Sequence, residues 1–273
     1  MTNKTASNLI SIINKIYNKN DSVPLHSPKF IGNERKYVLD TIDTTFVSTI
    51  GSYVTKFEIE VADYVKSNYA IATSSGTSAL HTSLMISGCD ADSEVITQSI
   101  SFVATSNAIK YCNSEPIFID VDIDTLSMSP NRLHDFLSNN TEVRDDGFCW
   151  NKLSGKQIKA CLPTHAYGFP ARIDEIKEIC ESYNIILIED AAESLGSFYK
   201  KKHTGTFGKM SAFSFNGNKI VTAGGGGMIV TNDEKIAIKA KHLTTTAKIP
   251  HSWDFIHDEV GYNYRMPNLN AAL

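Results

Sequence analysis

From residue 69 onward the chain alternates short apolar runs with stretches of helical spacing, and few folds accommodate that pattern. Residues 69–73, 94–98, 116–121, 159–164 and 185–190 read as strands, and 210–215 and 228–230 as two more. Between them, residues 74–77 lead into a helix ending near Ser87, and helices are expected over 104–112 and 173–183. Strands and helices in this order pack as a mostly parallel sheet covered by helices on both faces, a three-layer α/β architecture. Ligands of such sheets collect at the carboxyl ends of the strands. Ser75-Gly76, Phe102, His165, Asp190 and Lys219 all lie at or just past such ends.

The first part of the chain is helical. Apolar residues at 9, 10, 12, 13, 16 and 17 predict a short amphipathic helix over 8–17, which the polar stretch 18–22 ends. Further helices are expected over about 33–41 and over 53–68, the latter with Val54, Phe57, Val61 and Tyr64 on one face. Residues 138–158 read as a polar insertion or loop, and 243–260 as an exposed excursion. The sequence stops at Asn-Leu-Asn-Ala-Ala-Leu, the opening turns of a helix. The expected division is a helical extension over 1–22, a large α/β domain over 23–260, and the start of a further helix over 261–273.

Composition bounds the partners. With 42% hydrophobic and 21% charged residues the chain has an ordinary globular balance. A formal charge of −4 argues against nucleic acid or an anionic membrane as the main partner. Five scattered cysteines without a C-x-x-C pair fit reduced thiols better than a disulfide or zinc framework. With no signal peptide and no apolar run long enough to span a bilayer, the expectation is a cytoplasmic protein.

Lys219 is the chain's most distinctive lysine. It lies in Ser-Phe-Asn-Gly-Asn-Lys, between two strand-like runs, and the glycines 224–227 precede the second. A partly desolvated lysine in such a turn can act as a nucleophilic amine towards a carbonyl, although most lysines are solvated surface charges. Asp190 ends a buried strand and needs a cation or good donors. A protonated pyridine nitrogen would meet that need, and capping of the following segment would meet it equally well. Ser75-Gly76-Thr77 before an apolar helix makes an anion turn, to which Ser214 could add a hydroxyl. Phe102 could stack on a flat ring or pack in the core.

Six segments in order carry a family resemblance: Thr-Ser-Ser-Gly-Thr-Ser-Ala-Leu-His (73–81), Ser-Phe-Val-Ala-Thr-Ser-Asn-Ala-Ile (101–109), Pro-Thr-His-Ala-Tyr-Gly (163–168), Glu-Asp-Ala-Ala-Glu (189–193), Ser-Phe-Asn-Gly-Asn-Lys (214–219) and Gly-Tyr-Asn-Tyr-Arg-Met (261–266). The chain resembles the DegT/DnrJ/EryC1/StrS family of pyridoxal 5'-phosphate-dependent sugar aminotransferases, of aminotransferase fold type I. The wording around residues 216–227 is most like the branch making legionaminic or bacillosamine-type amino sugars. The resemblance implies that Lys219 is the Schiff-base lysine and proton shuttle, and that Asp190 pairs with the pyridinium nitrogen. Phe102 would stack on the ring, and Gly76, Thr77 and Ser214 would hold the phosphate. It further implies that 23–260 is the cofactor-binding large domain, that 261–273 leads towards a small C-terminal domain largely missing here, and that the protein is a homodimer with shared active sites, in which Asn263 reaches the neighbouring subunit's phosphate and Arg265 helps shape the site. His165 matches a motif histidine near the cofactor, or is a structural residue.

The implied reaction moves an amino group from an amino-acid donor, glutamate by expectation, to a nucleotide-linked keto-deoxysugar. Many family members carry Gln where Glu193 stands, close to the cofactor's phenolic oxygen. A carboxylate there would repel a phenolate unless a proton is shared, so Glu193 tunes the cofactor or turns towards the substrate. Two alternatives share the scaffold: a sugar 3-dehydratase, whose lysine position is typically histidine, and a non-catalytic regulatory relative. A nucleotidase built on Gly224–Gly227 lacks the Walker spacing.

Overall fold

The computed structural model describes residues 3–18 and 22–273. Residues 1, 2 and 19–21, and with them most of the polar stretch expected to end the first helix, lie outside the described residues. In chain order the elements are α1 (Asn3–Tyr17), α2 (Glu34–Asp43), α3 (Ser52–Val65), β1 (Tyr69–Thr73), α4 (Gly76–Ile86), β2 (Ser93–Gln98), α5 (Val103–Tyr111) and β3 (Glu115–Ile119). Then come α6 (Pro130–Asn140), β4 (Thr141–Val143), β5 (Cys149–Asn151), β6 (Gln157–Cys161), α7 (Ile173–Ser182) and β7 (Ile186–Asp190). The two-residue strands β8 (Phe198–Tyr199) and β9 (Lys202–His203) form a small hairpin, followed by β10 (Met210–Ser214), β11 (Gly227–Thr231), α8 (Glu234–Thr244) and α9 (Asn268–Ala272).

The main sheet runs β1-β11-β10-β7-β6-β2-β3. Strands β10, β7, β6, β2 and β3 are mutually parallel, as the alternation predicted. β11 is antiparallel to both neighbours, pairing Thr73 with Gly227 on one side and Ser214 with Gly227 on the other. Because side chains alternate along a strand, successive residues feed opposite cores. Ile71, Val95, Ala160, Ile188, Ala212 and Ile229 face one layer, with Leu80 and Leu84 of α4, Ile109 of α5 and Ala240 of α8. Ile96, Cys161 and Leu187 face the other, against Leu133 and Leu137 of α6 and Ile173 and Ile176 of α7. Towards the β1 edge that second layer is filled by Val54, Val61 and Val65 of α3, which meet Ala72, Phe213, Met228 and Val230. Helices therefore cover both faces of a mostly parallel sheet, a three-layer αβα fold.

Three sequence expectations change. Residues 138–158 are not a bare loop: α6 ends there and β4 and β5 pair antiparallel, with β5 joined to β6. The buried stripe of α3 is Val54, Glu58, Val61, Ala62 and Val65, whereas Tyr64 is exposed, because the 3.6-residue period carries Val65 rather than Tyr64 onto the sheet. The excursion is not exposed throughout, since Leu243, Thr244 and Ala247 are buried, and exposure is continuous only over 249–260. All five cysteines are buried free thiols, and burial pushes Cys89 and Cys112 up to about 12, out of reach of thiolate chemistry at neutral pH.

Candidate active site

The carboxyl ends of β1, β2, β6, β7 and β10 open into one cavity of about 770 Å³. At its β1 end, Ser75 is the N-cap of α4, and its hydroxyl accepts from Ser78 N at 3.0 Å. The next free donors, Gly76 N–H and Thr77 N–H, have no carbonyl within the helix to meet. A Cβ on Gly76 would lie 2.9 Å from Ser214 Cβ, and one on Gly227 would lie 2.3 Å from Ser75 O. The glycines therefore let the start of β11 and the end of β10 close tightly on this turn. Gly76, Thr77 and Ser214 all line the cavity, so one small-residue cradle for an anion is formed from two separate motifs.

Asp190 is 4% exposed at the end of β7. Its Oδ2 accepts from Thr105 Oγ1 at 2.7 Å and its Oδ1 from Ala192 N at 3.1 Å. Burial pushes its carboxyl up, and the hydrogen bonds and the Lys219 charge offset that only in part. No cation among the described residues pairs with it directly, although it lines the cavity. A buried acid short of a cation, 2.7 Å from a hydroxyl and facing a large cavity, suits a protonated ring nitrogen. Phe102 caps α5, is 71% exposed and lines the same cavity, so it is not a core residue and has a free face. The fit of pyridoxal phosphate to this set is good: cradle for phosphate, carboxylate for nitrogen, aromatic face for the ring, and an amine.

That amine is Lys219. Its loop is closed at Phe215, whose N–H donates to Gly226 O and whose carbonyl accepts from Ala223 N, both at 2.9 Å. The side chain is 12% exposed, and Nζ lies 3.0 Å from Glu193 Oε1. Glu193 Oε2 accepts from Tyr167 N at 3.1 Å. Tyr167 sits in the left-handed region at φ 54°, which is costly for an aromatic residue and places it at the cavity rim. A second cavity of about 820 Å³, lined by His26, Lys29, Phe30 and Thr222 among others, shares Tyr167, Glu193, Asn218 and Lys219 with the first. Lys219 and Glu193 thus stand at the seam of two adjoining cavities.

Three motif residues stand elsewhere. His165 is fully buried; its Nδ1 accepts from Ala171 N at 3.1 Å, so its proton is on Nε2, which donates to Glu189 at 3.0 Å. It is a structural residue beneath the cavity. Arg265 does not reach the cavity: it is held by Glu58 at 2.7 Å and closes the underside of β1 against α3. Asn263 is exposed and lies outside both cavities of this chain, bridged to Thr245. Sequence reasoning missed Thr105, which stands one helical turn past Phe102 and could have been found from that spacing, and the backbone N–H of Tyr167.

The three-layer fold is that of the fold type I aminotransferases. Residues 28–273 match the DegT/DnrJ/EryC1/StrS aminotransferase family, and the chain belongs to that family. It is 39% identical over 251 residues to GDP-perosamine synthase of Escherichia coli O157:H7, covering 92% of this chain and 64% of that protein. The GDP-perosamine synthase of Caulobacter vibrioides is 37% identical over 253 residues, covering 92% and 63%. Among solved structures, an aminotransferase from Psychrobacter cryohalolentis superposes with a TM-score of 0.78 at 29% identity, covering 90% of this chain and 61% of that one. The chain thus spans less than two thirds of the length of these relatives. Helix α1 precedes the matched region.

Proposed function

We propose that this chain is the cofactor-binding portion of an aminotransferase that moves an amino group from an amino acid, glutamate by our reading, onto the keto carbon of a nucleotide-linked deoxysugar. The observation that carries this is the convergence of Lys219, Asp190 and the Gly76–Ser214 cradle on one cavity, with a second cavity adjoining at Lys219. Gly76, Thr77 and Ser214 would hold the phosphate of pyridoxal phosphate, Phe102 would cover the ring and Asp190 would hold the ring nitrogen's proton. When bound, the cofactor supplies an electron sink that lets a C–H bond beside the amino group break.

Lys219 Nζ, at the seam of the two cavities, would take up and return that proton. Glu193 Oε1 orients the amine while its other oxygen is fixed by the Tyr167 N–H. The second cavity, with Lys29 and His26 for phosphates and Phe30 for a flat or apolar group, is large enough for a nucleotide-linked sugar. Asn263, which faces outward, suits contact with the phosphate site of a second subunit in a homodimer. A cytoplasmic setting fits a chain in which no helix among the described residues is long and apolar enough to cross a membrane. The amino sugar would serve surface-glycan synthesis, of legionaminic or bacillosamine type by the motif wording and of perosamine type by the relatives.

The test is an absorbance titration with pyridoxal phosphate, followed by borohydride reduction and peptide mass spectrometry. The expected result is a cofactor fixed covalently to Lys219, and none in Lys219→Ala. A folded, dimeric, full-length protein that fixes no cofactor would overturn the reading. Product analysis with a panel of nucleotide keto-sugars then separates amination from dehydration.

A further inference from the structure

We propose that Thr164 is a further cofactor-contacting residue, its hydroxyl gaining its hydrogen-bond partner when the ring is seated beside Asp190; this rests on reading the cavity as a pyridoxal phosphate site. Three buried side-chain polar atoms lack a partner among the described residues: Thr82 Oγ1, Thr164 Oγ1 and Arg172 Nε. Thr82 lies inside α4, away from the cavity, and the Arg172 guanidinium is already engaged by Asp122 at 2.5 Å. Thr164 is the one of the three that lines the cofactor cavity, and it is 6% exposed.

Its place is tightly fixed. Thr164 N donates to Gln98 Oε1 at 3.1 Å, and Thr164 O accepts from Ser127 Oγ at 2.9 Å. A parallel bridge sets it beside Asp190, with Asp190 N donating to Pro163 O and His165 N to Asp190 O. Neither Gln98 nor Ser127 is spare: the Gln98 amide also serves Met128 N and Ile100 O, and the Ser127 hydroxyl also accepts from Ala166 N. The other hydroxyl at Asp190, that of Thr105, is spent on Oδ2. Among the described residues, the Thr164 hydroxyl is therefore an unspent buried polar group on the strand position beside Asp190. One rotamer step exchanges its hydroxyl with its methyl.

A buried hydroxyl without a partner costs stability, and a shape-matched apolar replacement does not. A hydroxyl kept for a ligand and one kept for the fold consequently predict opposite outcomes for the isosteric Thr164→Val. Affinity for pyridoxal phosphate is to be measured by absorbance titration of the full chain, and thermal midpoints on the cofactor-free protein. One neutral hydrogen bond corresponds to a loss of about 5- to 10-fold in affinity for Thr164→Val, with Thr164→Ser within about twofold of wild type. The cofactor-free Thr164→Val should melt no lower than wild type. Equal affinity of Thr164→Val and wild type, or a lower melting point of its cofactor-free form, would overturn the proposal. If wild type binds no cofactor, the reading of the cavity falls, and this inference with it; the ratio of variant to wild type reports on Thr164 alone.

Discussion

Lys219 Nζ lies 3.0 Å from Glu193 Oε1, and the other oxygen of the same carboxylate accepts from Tyr167 N at 3.1 Å. The carboxylate is thus clamped between a backbone donor in a strained turn and the amine we assign to the chemistry. Both residues border both cavities, so the pair is the gate post that cofactor and substrate would each meet.

Glu193→Gln keeps an acceptor for the Tyr167 N–H and removes the charge facing Lys219. The pair is partly exposed, at 12% and 38% of its side chains, so unfolding stability should change by less than about 1 kcal/mol. Availability of the amine should change more. Reductive methylation of Lys219 in the cofactor-free protein, read by peptide mass spectrometry, should be severalfold faster in Glu193→Gln. Equal labelling would mean that Glu193 does not restrain the amine.

Asp190 sets a pH dependence of definite sign. Burial raises its carboxyl above the ordinary value of 3.8 in the cofactor-free protein. The folded state therefore carries no penalty from this group below the ordinary value, gains one as pH rises towards the raised value, and bears it in full above. Asp190→Asn removes the charge and can still accept from Ala192 N while donating to the Thr105 hydroxyl. Without cofactor it should melt at or above the wild-type temperature at pH 8, and the difference should vanish on acidification. With cofactor, binding should fall by at least about tenfold, because a charged hydrogen bond is lost. An Asp190→Asn protein less stable than wild type at pH 8 would refute this account of the buried acid.

Much of this site was legible because strand ends carry its polar residues. Asp190 after Ile-Ile-Leu-Ile-Glu, Ser75-Gly76-Thr77 after an apolar strand and Lys219 before four glycines each stand out locally. The parallel body of the sheet followed from the alternation of strands and helices. The antiparallel insertion of β11 between β1 and β10 did not, because pairing residue 73 with residue 227 is a long-range choice with no local signal. Helix α6 was hidden by its polar background, although Ser129-Pro130 followed by Leu133 and Leu137 is a start signal with the right spacing. The motifs left His165 open between a cofactor-side and a structural role and suggested that Arg265 shapes the shared site, while their partners, Glu189 and Glu58, lie 24 and 207 residues away along the chain. Only the fold shows that these polar groups are held by structural partners in this chain.

Gly227 tests the cradle independently of the cofactor. A Cβ there would stand 2.3 Å from Ser75 O and 2.6 Å from Gly76 N, both backbone atoms that cannot swing aside. Gly227→Ala should lower stability by about 2–3 kcal/mol, measured by urea unfolding, as overpacking at a rigid contact does. It should also push β11 off the Ser75 turn and weaken phosphate-dependent binding more than binding of dephosphorylated pyridoxal. An alanine variant of wild-type stability would show that the turn has slack.

Glu189 should give the chain an acid-sensitive step opposite in sign to that of Asp190. Burial pushes its carboxyl up, but the His165 hydrogen bond and the backbone N–H groups of Gly208 and Gly205 more than offset this and hold it below its ordinary 4.5. Four donors reach it: Gly205 N at 2.8 Å and His165 Nε2 at 3.0 Å on one oxygen, Phe207 N and Gly208 N at 2.7 Å each on the other. A lowered folded value contributes stability that is fully present above the ordinary value and is lost as pH falls through the folded one. Wild type should therefore lose stability on acidification below about 4.5. Glu189→Gln leaves one amide NH₂ facing two backbone donors, so it should cost about 3 kcal/mol at pH 7. Its stability should then fall less steeply with acid, so the two unfolding curves should draw together as pH falls below the ordinary carboxylate value. Parallel curves from pH 7 to pH 3 would show that this carboxylate does not carry the acid response. The loop from His203 to Gly208, which it anchors, would then need another explanation for its fixed position under the cavity.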